Sequence, residues 1–249
     1  MRKVNLVPMA GIGKRFIDAG YKIPKPLIDV RGKPMFVRAA ESLPKTDLII
    51  FICLKNYIKK FKIDKIIKFF FPNSKIIIAK KKILGQAADC FEASKYLRKN
   101  DILTIGSCDN GMVYNLNSLN NKIKNSELVV WTFKDKKIIS KNPNMYSYVK
   151  TDKKDDILKI SCKKKLSKIA WKDHAIIGAF SFKRAEVFMK YTKKLLVSNL
   201  KINNEYYMDS VADICVKSGL KAKVNLVKKY YGWGTPQDLK NYLNKKKNV

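Results

Sequence analysis

Val4-Asn5-Leu6-Val7-Pro8-Met9-Ala10-Gly11-Ile12-Gly13-Lys14-Arg15-Phe16 is the stretch on which the fold turns. Its apolar opening, Val4–Pro8, reads as the first strand of a parallel sheet, buried on both faces. A strand that empties into Gly11-Ile12-Gly13 puts backbone N–H groups at the sheet's carboxyl edge. The glycines carry no Cβ to keep a phosphate away. Lys14 and Arg15 add cations at the same edge. In Pro24-Lys25-Pro26, two prolines fix the backbone around Lys25 and so hold its ammonium group in place. A surface lysine needs no such bracing. Two familiar phosphate motifs are excluded: Phe16 stands where a dinucleotide fingerprint has its third glycine, and Arg15 where a Walker A loop has Ser or Thr. Together these parts predict a pocket for a polyphosphate.

Beyond this loop, strands and helices alternate. Helical spacing covers Pro34–Leu43, Asn56–Phe71 and Gly85–Lys99; apolar runs at Leu48–Cys53, Lys75–Ala79 and Asp101–Ile105 predict strands. Lys59, Lys60, Lys62, Lys65 and Lys68 share one face of the second helix. This rhythm predicts an α/β nucleotide-binding fold, a three-layer α/β/α arrangement with ligands at the strands' carboxyl ends. The second half is richer in strands (Glu127–Phe133, Tyr146–Thr151, Ile157–Cys162, Ala175–Phe182, Lys223–Lys228), with helices near Arg184–Val197 and Glu205–Ser218. The central sheet is therefore expected to be mainly parallel but mixed. A chain of 249 residues with 46% hydrophobic content buries one substantial core.

The net charge of +33 points first to nucleic acid. The basic residues are nearly all lysine, however, with arginine only at positions 2, 15, 31, 38, 98 and 184. Base readout and bidentate phosphate recognition favour arginine, whereas an A/T-rich coding sequence produces abundant Lys, Ile and Asn without any such role. No specific nucleic-acid partner is expected. Five scattered cysteines without a CxxC argue against a disulfide framework or a zinc site and suggest a reducing, cytoplasmic setting. The single histidine, His174, precedes a strand and reads as structural. Neither a membrane-spanning run nor a signal peptide is expected.

Ala10-Gly11-Ile12-Gly13-Lys14-Arg15-Phe16 followed by Pro24-Lys25-Pro26-Leu27-Ile28 resembles the signature of the sugar-phosphate nucleotidyltransferases. The resemblance continues through Gly85-Gln86-Ala87-Ala88, Cys108-Asp109-Asn110, Gly178-Ala179-Phe180, Glu205-Tyr206-Tyr207-Met208-Asp209 and Trp233-Gly234-Thr235-Pro236. It implies one nucleotidyltransferase domain over residues 1–244, with a nucleotide-binding half to about 125, an acceptor-binding half beyond it, and a basic tail at 245–249. The implied reaction joins a nucleoside triphosphate to a phosphorylated small molecule, most simply a sugar 1-phosphate, and releases pyrophosphate.

Asp109 follows a buried strand and points into the crevice that the phosphate loop borders. A hard divalent cation such as Mg²⁺ takes one or two protein carboxylates plus substrate phosphates, so Asp109 is the first candidate ligand. The resemblance makes Asp209 the second, with Glu205 and Asp213 as competing positions. It also implies that Met9, Ala10, Gly11, Gly13, Lys14, Gly85, Gln86 and Asp109 lie at the nucleotide. Arg15 and Lys25 then act on its phosphates, while Lys163, Gly178 and Glu205 face the acceptor. The Gln86 amide can both donate and accept at a base edge. Cys162 and Phe180 replace a Glu and a Tyr of the family pattern, which puts a standard hexose acceptor in question and leaves a phosphorylated amino alcohol as a variant. Thr235-Pro236 reads as the cap and first turn of the last helix. Two other classes remain open: a glycosyltransferase using a finished nucleotide sugar, and a non-catalytic basic nucleic-acid-binding protein. A homo-oligomer is compatible with all of these.

Overall fold

The computed structural model describes residues 1–79 and 84–245. Strand β1 (Lys3–Met9) pairs in parallel with β2 (Leu48–Cys53) on one side and β4 (Ile102–Ile105) on the other, and β2 pairs in parallel with β3 (Lys75–Ile78). Across β4, β9 (His174–Phe182) runs antiparallel to both β4 and β6 (Leu128–Phe133); β10 (Ala222–Leu226) returns parallel to β6. The order is β10-β6-β9-β4-β1-β2-β3. The hairpin β7 (Tyr148–Thr151) and β8 (Ile157–Ser161) joins beside β9. A short pair, β5 (Asn110–Val113) with β11 (Lys229–Gly232), stands apart.

Alternation along the strands sends side chains to two faces. Val4, Leu6, Ile50 and Ile52 join one core with α5 (Gln86–Phe91), α8 (Ala185–Ser198) and α9 (Met208–Lys217). Val7, Met9, Phe51 and Cys53 join the other, with α2 (Met35–Glu41), α3 (Lys55–Phe61), α4 (Ile63–Phe70), α6 (Leu116–Asn125) and α7 (Lys136–Ile139). The expected three layers are present, and the mixed sheet runs without interruption through both halves of the chain. A third, smaller core joins Phe16 of α1 (Lys14–Asp18), Ile28, Val30, Met35, Trp233 and Leu239 of α10 (Pro236–Leu243). It packs the phosphate-loop segment against the C-terminal segment.

Several boundaries differ from expectation for physical reasons. The helix predicted over Asn56–Phe71 is two helices, broken at Lys62 in the left-handed region (φ 53°). Tyr57 and Ile63 are both buried, yet in one straight helix a six-residue spacing would put them about 120° apart. The break lets both face the core. The helix predicted over Gly85–Lys99 stops at Phe91 and tightens into a 3₁₀ turn over Glu92–Tyr96. Thr235 caps α10 as read, its Oγ1 accepting from the Asp238 N–H at 3.1 Å. His174 is buried and bonded to Thr132 Oγ1 through Nδ1, at 3.0 Å. Of the basic tail, residues 246–249 lie outside the described residues.

Candidate active site

The loops after β1, β2 and β4 emerge at one edge of the sheet, where ligands of open α/β sheets bind. Pairing of β1 with β4 ends at Leu6, whose carbonyl accepts from Gly106 N at 2.9 Å. Pro8, which has no N–H, sits two residues on, where a donor toward β4 would have no partner. The two chains diverge there and a crevice opens.

The loop Ala10–Gly13 forms one lip of that crevice. Among the described residues, none of the backbone N–H groups of residues 11–15 has a hydrogen-bond acceptor. Gly13 is required twice: its φ is 68°, and a Cβ there would come within 2.9 Å of Lys25 Cβ. Gly11 differs, with nothing within 4 Å of a built Cβ and no positive φ. Neither its conformation nor its packing demands a glycine there, and the missing Cβ leaves the backbone open to close approach. Lys14 and Arg15 are exposed and pair with no described residue. Tyr57, from α3, donates its hydroxyl to the Gly11 carbonyl at 3.0 Å. No sequence signal singled out Tyr57, which sits in a lysine-dominated helix.

Lys25 and Asp109, predicted from separate motifs, meet as an ion pair with Nζ 2.7 Å from Oδ2. Burial opposes charge on Lys25, but the neighbouring Asp109 carboxylate outweighs it and the pKa rises. Burial likewise opposes charge on Asp109, and Lys25, helped by a hydrogen bond from Ser107, holds its pKa below the usual range. Ser107 Oγ donates to Asp109 Oδ1 at 2.8 Å. Asn110 Nδ2 fastens this turn to Ser107 Oγ (2.6 Å) and to the Ile177 carbonyl of β9 (2.8 Å). From the other side, Trp233 N donates to the Asp109 carbonyl at 2.8 Å. A Cβ on Gly234 would crowd Asp109 Oδ2 at 3.2 Å, so a glycine there leaves the carboxylate clear.

The Gly85–Gln86 segment lies across the same edge. Gly85 (φ 103°) is pressed onto the Tyr206 backbone, where a Cβ would come within 2.7 Å. Tyr206 N donates to Leu84 O at 2.8 Å and Ala87 N to Tyr206 O at 3.0 Å. Gln86 Nε2 donates to the carbonyls of Gly178 (3.2 Å) and Gly106 (3.4 Å). Its amide nitrogen therefore ties β9 to the end of β4. Asp89, one turn further, is buried, and burial, reinforced by Glu92 and Glu205, pushes its pKa up to about 7.

Asp209 lies at the start of α9, 7% exposed. Ser147 Oγ donates to its Oδ2 at 2.5 Å, with Cys162 Sγ at 4.0 Å. Burial raises its pKa, only partly opposed by Lys163 and the Ser147 bond. Lys163, at φ 55°, donates Nζ to the Met145 carbonyl at 2.9 Å and stands 5.2 Å from the centre of the Tyr207 ring. Burial, reinforced by the nearby Glu205 carboxylate, raises the Tyr207 pKa. The two aspartate corners meet at β9: Ser147 O accepts from Ile176 N at 2.9 Å, and Ser107 Cβ lies 3.9 Å from a Cβ built on Gly178. Of the competing carboxylates, Asp213, one turn beyond Asp209 on α9, pairs with Lys217 at 2.7 Å, and Glu205 lies close to Tyr207. Phe180 is fully buried in the core, so it does not line the crevice. The burial of Cys162 pushes its thiol up to about 11, so it is protonated near neutrality.

A family model for nucleotidyl transferases matches residues 5–246. No curated protein matches the chain. The nucleoside-diphosphate-sugar pyrophosphorylase from Vibrio cholerae RC9 is similar in structure, with TM-score 0.78 and 18% identity over 96% of this chain and 99% of that one. The inositol-1-phosphate CTP transferase from T. maritima is similar too, with TM-score 0.74 and 18% identity over 97% and 94% of the two chains.

Proposed function

This chain belongs to the nucleotidyl transferase family, and we propose that it transfers a nucleoside monophosphate from a triphosphate to a phosphorylated small molecule. The observation that carries this reading is the row of N–H groups at residues 11–15, without acceptors among the described residues, beside the Lys25–Asp109 pair. Those donors and Arg15 hold the β- and γ-phosphates. Lys25, released from Asp109, turns to the α-phosphate. An oxygen of the acceptor's phosphate attacks the α-phosphorus in line; the new O–P bond forms as the bond to the β-phosphate oxygen breaks, and pyrophosphate leaves opposite. No proton needs to move and no covalent enzyme intermediate is required. Positioning and charge neutralisation supply the rate enhancement.

The base rests on Met9, Ala10, Gly85 and Gln86, with the Gln86 amide oxygen left to face it. The acceptor lies toward Lys163, Gly178 and Glu205. Two carboxylates with hydroxyl and ammonium partners, and no histidine or ionised thiol among them, suit a hard divalent cation that keeps phosphate oxygens in its shell. Among the described residues no three such groups cluster, and Mg²⁺ needs no more than two carboxylates from protein. Asp109 and Asp209 would hold it, and when bound it would supply charge neutralisation at the reacting phosphates.

A sugar 1-phosphate is the first choice of acceptor, giving a nucleoside-diphosphate sugar for surface polysaccharide synthesis. A phosphorylated alcohol, giving a CDP-alcohol, is the variant that the Cys162 substitution favours. Residues 1–244 act as one domain, in the cytoplasm, with no specific nucleic acid or membrane as partner. No helix among the described residues is long and apolar enough to cross a membrane. Self-association as a homo-oligomer is compatible with this assignment.

A panel of four nucleoside triphosphates against several phosphorylated acceptors, read by pyrophosphate release, tests the reading. Release is expected only when both a triphosphate and a phosphorylated acceptor are present. Consumption of a finished nucleotide sugar without pyrophosphate would make the protein a glycosyltransferase instead.

A further inference from the structure

Tyr57 lies outside the motifs that mark the crevice, yet it touches the phosphate loop. It projects from α3, its ring is 5% exposed within the core beneath the loop, and its hydroxyl is 3.0 Å from Gly11 O. Gly11 itself is exposed, at the end of a strand. A carbonyl at such a place can turn outward to water or inward to the protein. Tyr57 draws it inward.

A trans peptide is planar, so its C=O and N–H point in opposite directions. None of the described peptide bonds is cis. With Gly11 O turned toward α3, the Ile12 N–H of the same peptide points away from α3. Because β1 separates β2, which leads into α3, from β4, that direction is the crevice side. The Ile12 N–H has no acceptor among the described residues. Were the Gly11–Ile12 peptide to flip, its carbonyl oxygen would face an incoming phosphate and repel it. Gly11 has no Cβ and no neighbour within 4 Å of where one would stand, so side-chain contacts do not hold the peptide's orientation. The glycine that lets a ligand approach also leaves its own peptide loosely held, and the Tyr57 hydroxyl compensates for this.

We infer that Tyr57 is a positioning residue: its hydroxyl locks the Gly11–Ile12 peptide with the N–H toward the triphosphate. The inference rests on the loop being the triphosphate site. Burial, with Cys108 adding to it and Lys25 opposing, raises the Tyr57 pKa, so the phenol remains a donor throughout the working pH range.

The test is binding of triphosphate to the full-length protein, measured by calorimetry for wild type and Tyr57→Phe, with the Ile12 amide followed by NMR in the wild type. Tyr57→Phe keeps the ring that packs in the core and removes only the hydroxyl. Its triphosphate Kd is expected to rise about five- to tenfold, which corresponds to roughly 1–1.4 kcal/mol, with the acceptor KM unchanged. The wild-type Ile12 amide resonance is expected to shift on titration. Equal affinity of the variant and wild type, or an unmoved Ile12 amide in wild type that binds triphosphate, overturns the inference. A fall in melting temperature with triphosphate affinity intact does so as well, because Tyr57 would then be structural. If the variant fails to fold, the wild-type Ile12 shift decides. Failure of the wild type to bind any triphosphate would instead reject the assignment of the loop.

Discussion

The crevice has two aspartates of opposite electrical character. Asp109 is paired with Lys25 at 2.7 Å and its pKa is held down; Asp209 is buried beside Ser147 and Cys162 with no ion-pair partner among the described residues, and its pKa is raised. The first corner is charged and self-neutralised, so a phosphate bound there as proposed would have to exchange partners with the pair. The second corner gains from any cation that comes near, because burial disfavours its charge. The same side chain thus answers two different demands. On the proposed function, one corner would orient a phosphate and the other would receive positive charge.

The largest effect tests the charged corner. Lys25→Ala should lower kcat on the order of a hundredfold or more, since a preorganised charge contact at the reacting phosphate is worth roughly 3 kcal/mol. Asp109→Asn should also collapse activity, with excess Mg²⁺ restoring it only in part. Steady-state rates that stay near normal in either folded variant would remove the pair from the site.

Next comes the second corner. Asp209→Asn should cause a loss comparable to that of Asp109→Asn. Asp213→Asn should change the rate less than twofold, because Asp213, one turn beyond Asp209, is already engaged in an ion pair with Lys217. The reverse pattern would mean that the wrong carboxylate of α9 has been assigned to the metal.

A third carboxylate sharpens the comparison through stability rather than rate. Asp89 carries a folded-state pKa of about 7, against roughly 4 for an unfolded Asp. Between those values the folded state holds the extra proton, so the carboxylate destabilises the fold increasingly as pH rises from about 4 to about 7. Asp89→Asn should therefore raise Tm by several degrees at pH 8 and change it little at pH 4. A constant difference across that window would show that Asp89 does not titrate as described. Asp101 is the contrast: burial opposes its charge, but its bond to Arg2 lowers the pKa, so its contribution is present at neutral pH and lost on acidification.

The smallest effect concerns the lysine face. Lys59, Lys60, Lys62, Lys65 and Lys68 are exposed on α3, α4 and the break between them. Neutralising them should leave nucleotidyl transfer almost unchanged while weakening polyanion binding, which should itself fall steeply with salt. Triphosphate binding should depend on salt much less, because Lys25 lies in a partly desolvated cleft. Loss of transfer in that variant would bring the basic face into the working site.

What the sequence made legible follows from which residues carry special backbone demands. Gly13 and the prolines around Lys25 constrain their own φ, so their pattern marks the loop directly. The long strands were readable from their apolar runs. Helix α6 was not, because only Leu119 and Ile123 are buried in an Asn- and Lys-rich segment. The β5–β11 pair was missed because each strand has four residues and gains its order from the partner. Tyr57 and Ser147 were illegible for another reason: each acts through one hydroxyl on a residue far away in the chain, and no local spacing records that. Phe180 shows the limit of carrying over a pattern, since the residue at the family's position faces the core here.

The central claim, transfer of the α-phosphoryl nucleotide with release of the outer two phosphates, is tested most directly by isotope position. A triphosphate labelled at the α-phosphorus is incubated with the enzyme, Mg²⁺ and the acceptor that the panel selects, and a γ-labelled triphosphate is run in parallel. The account predicts that the α label enters the acceptor product and the γ label appears only in pyrophosphate, in equal amounts. Release of the γ label as inorganic phosphate, or its transfer to the acceptor, would contradict it.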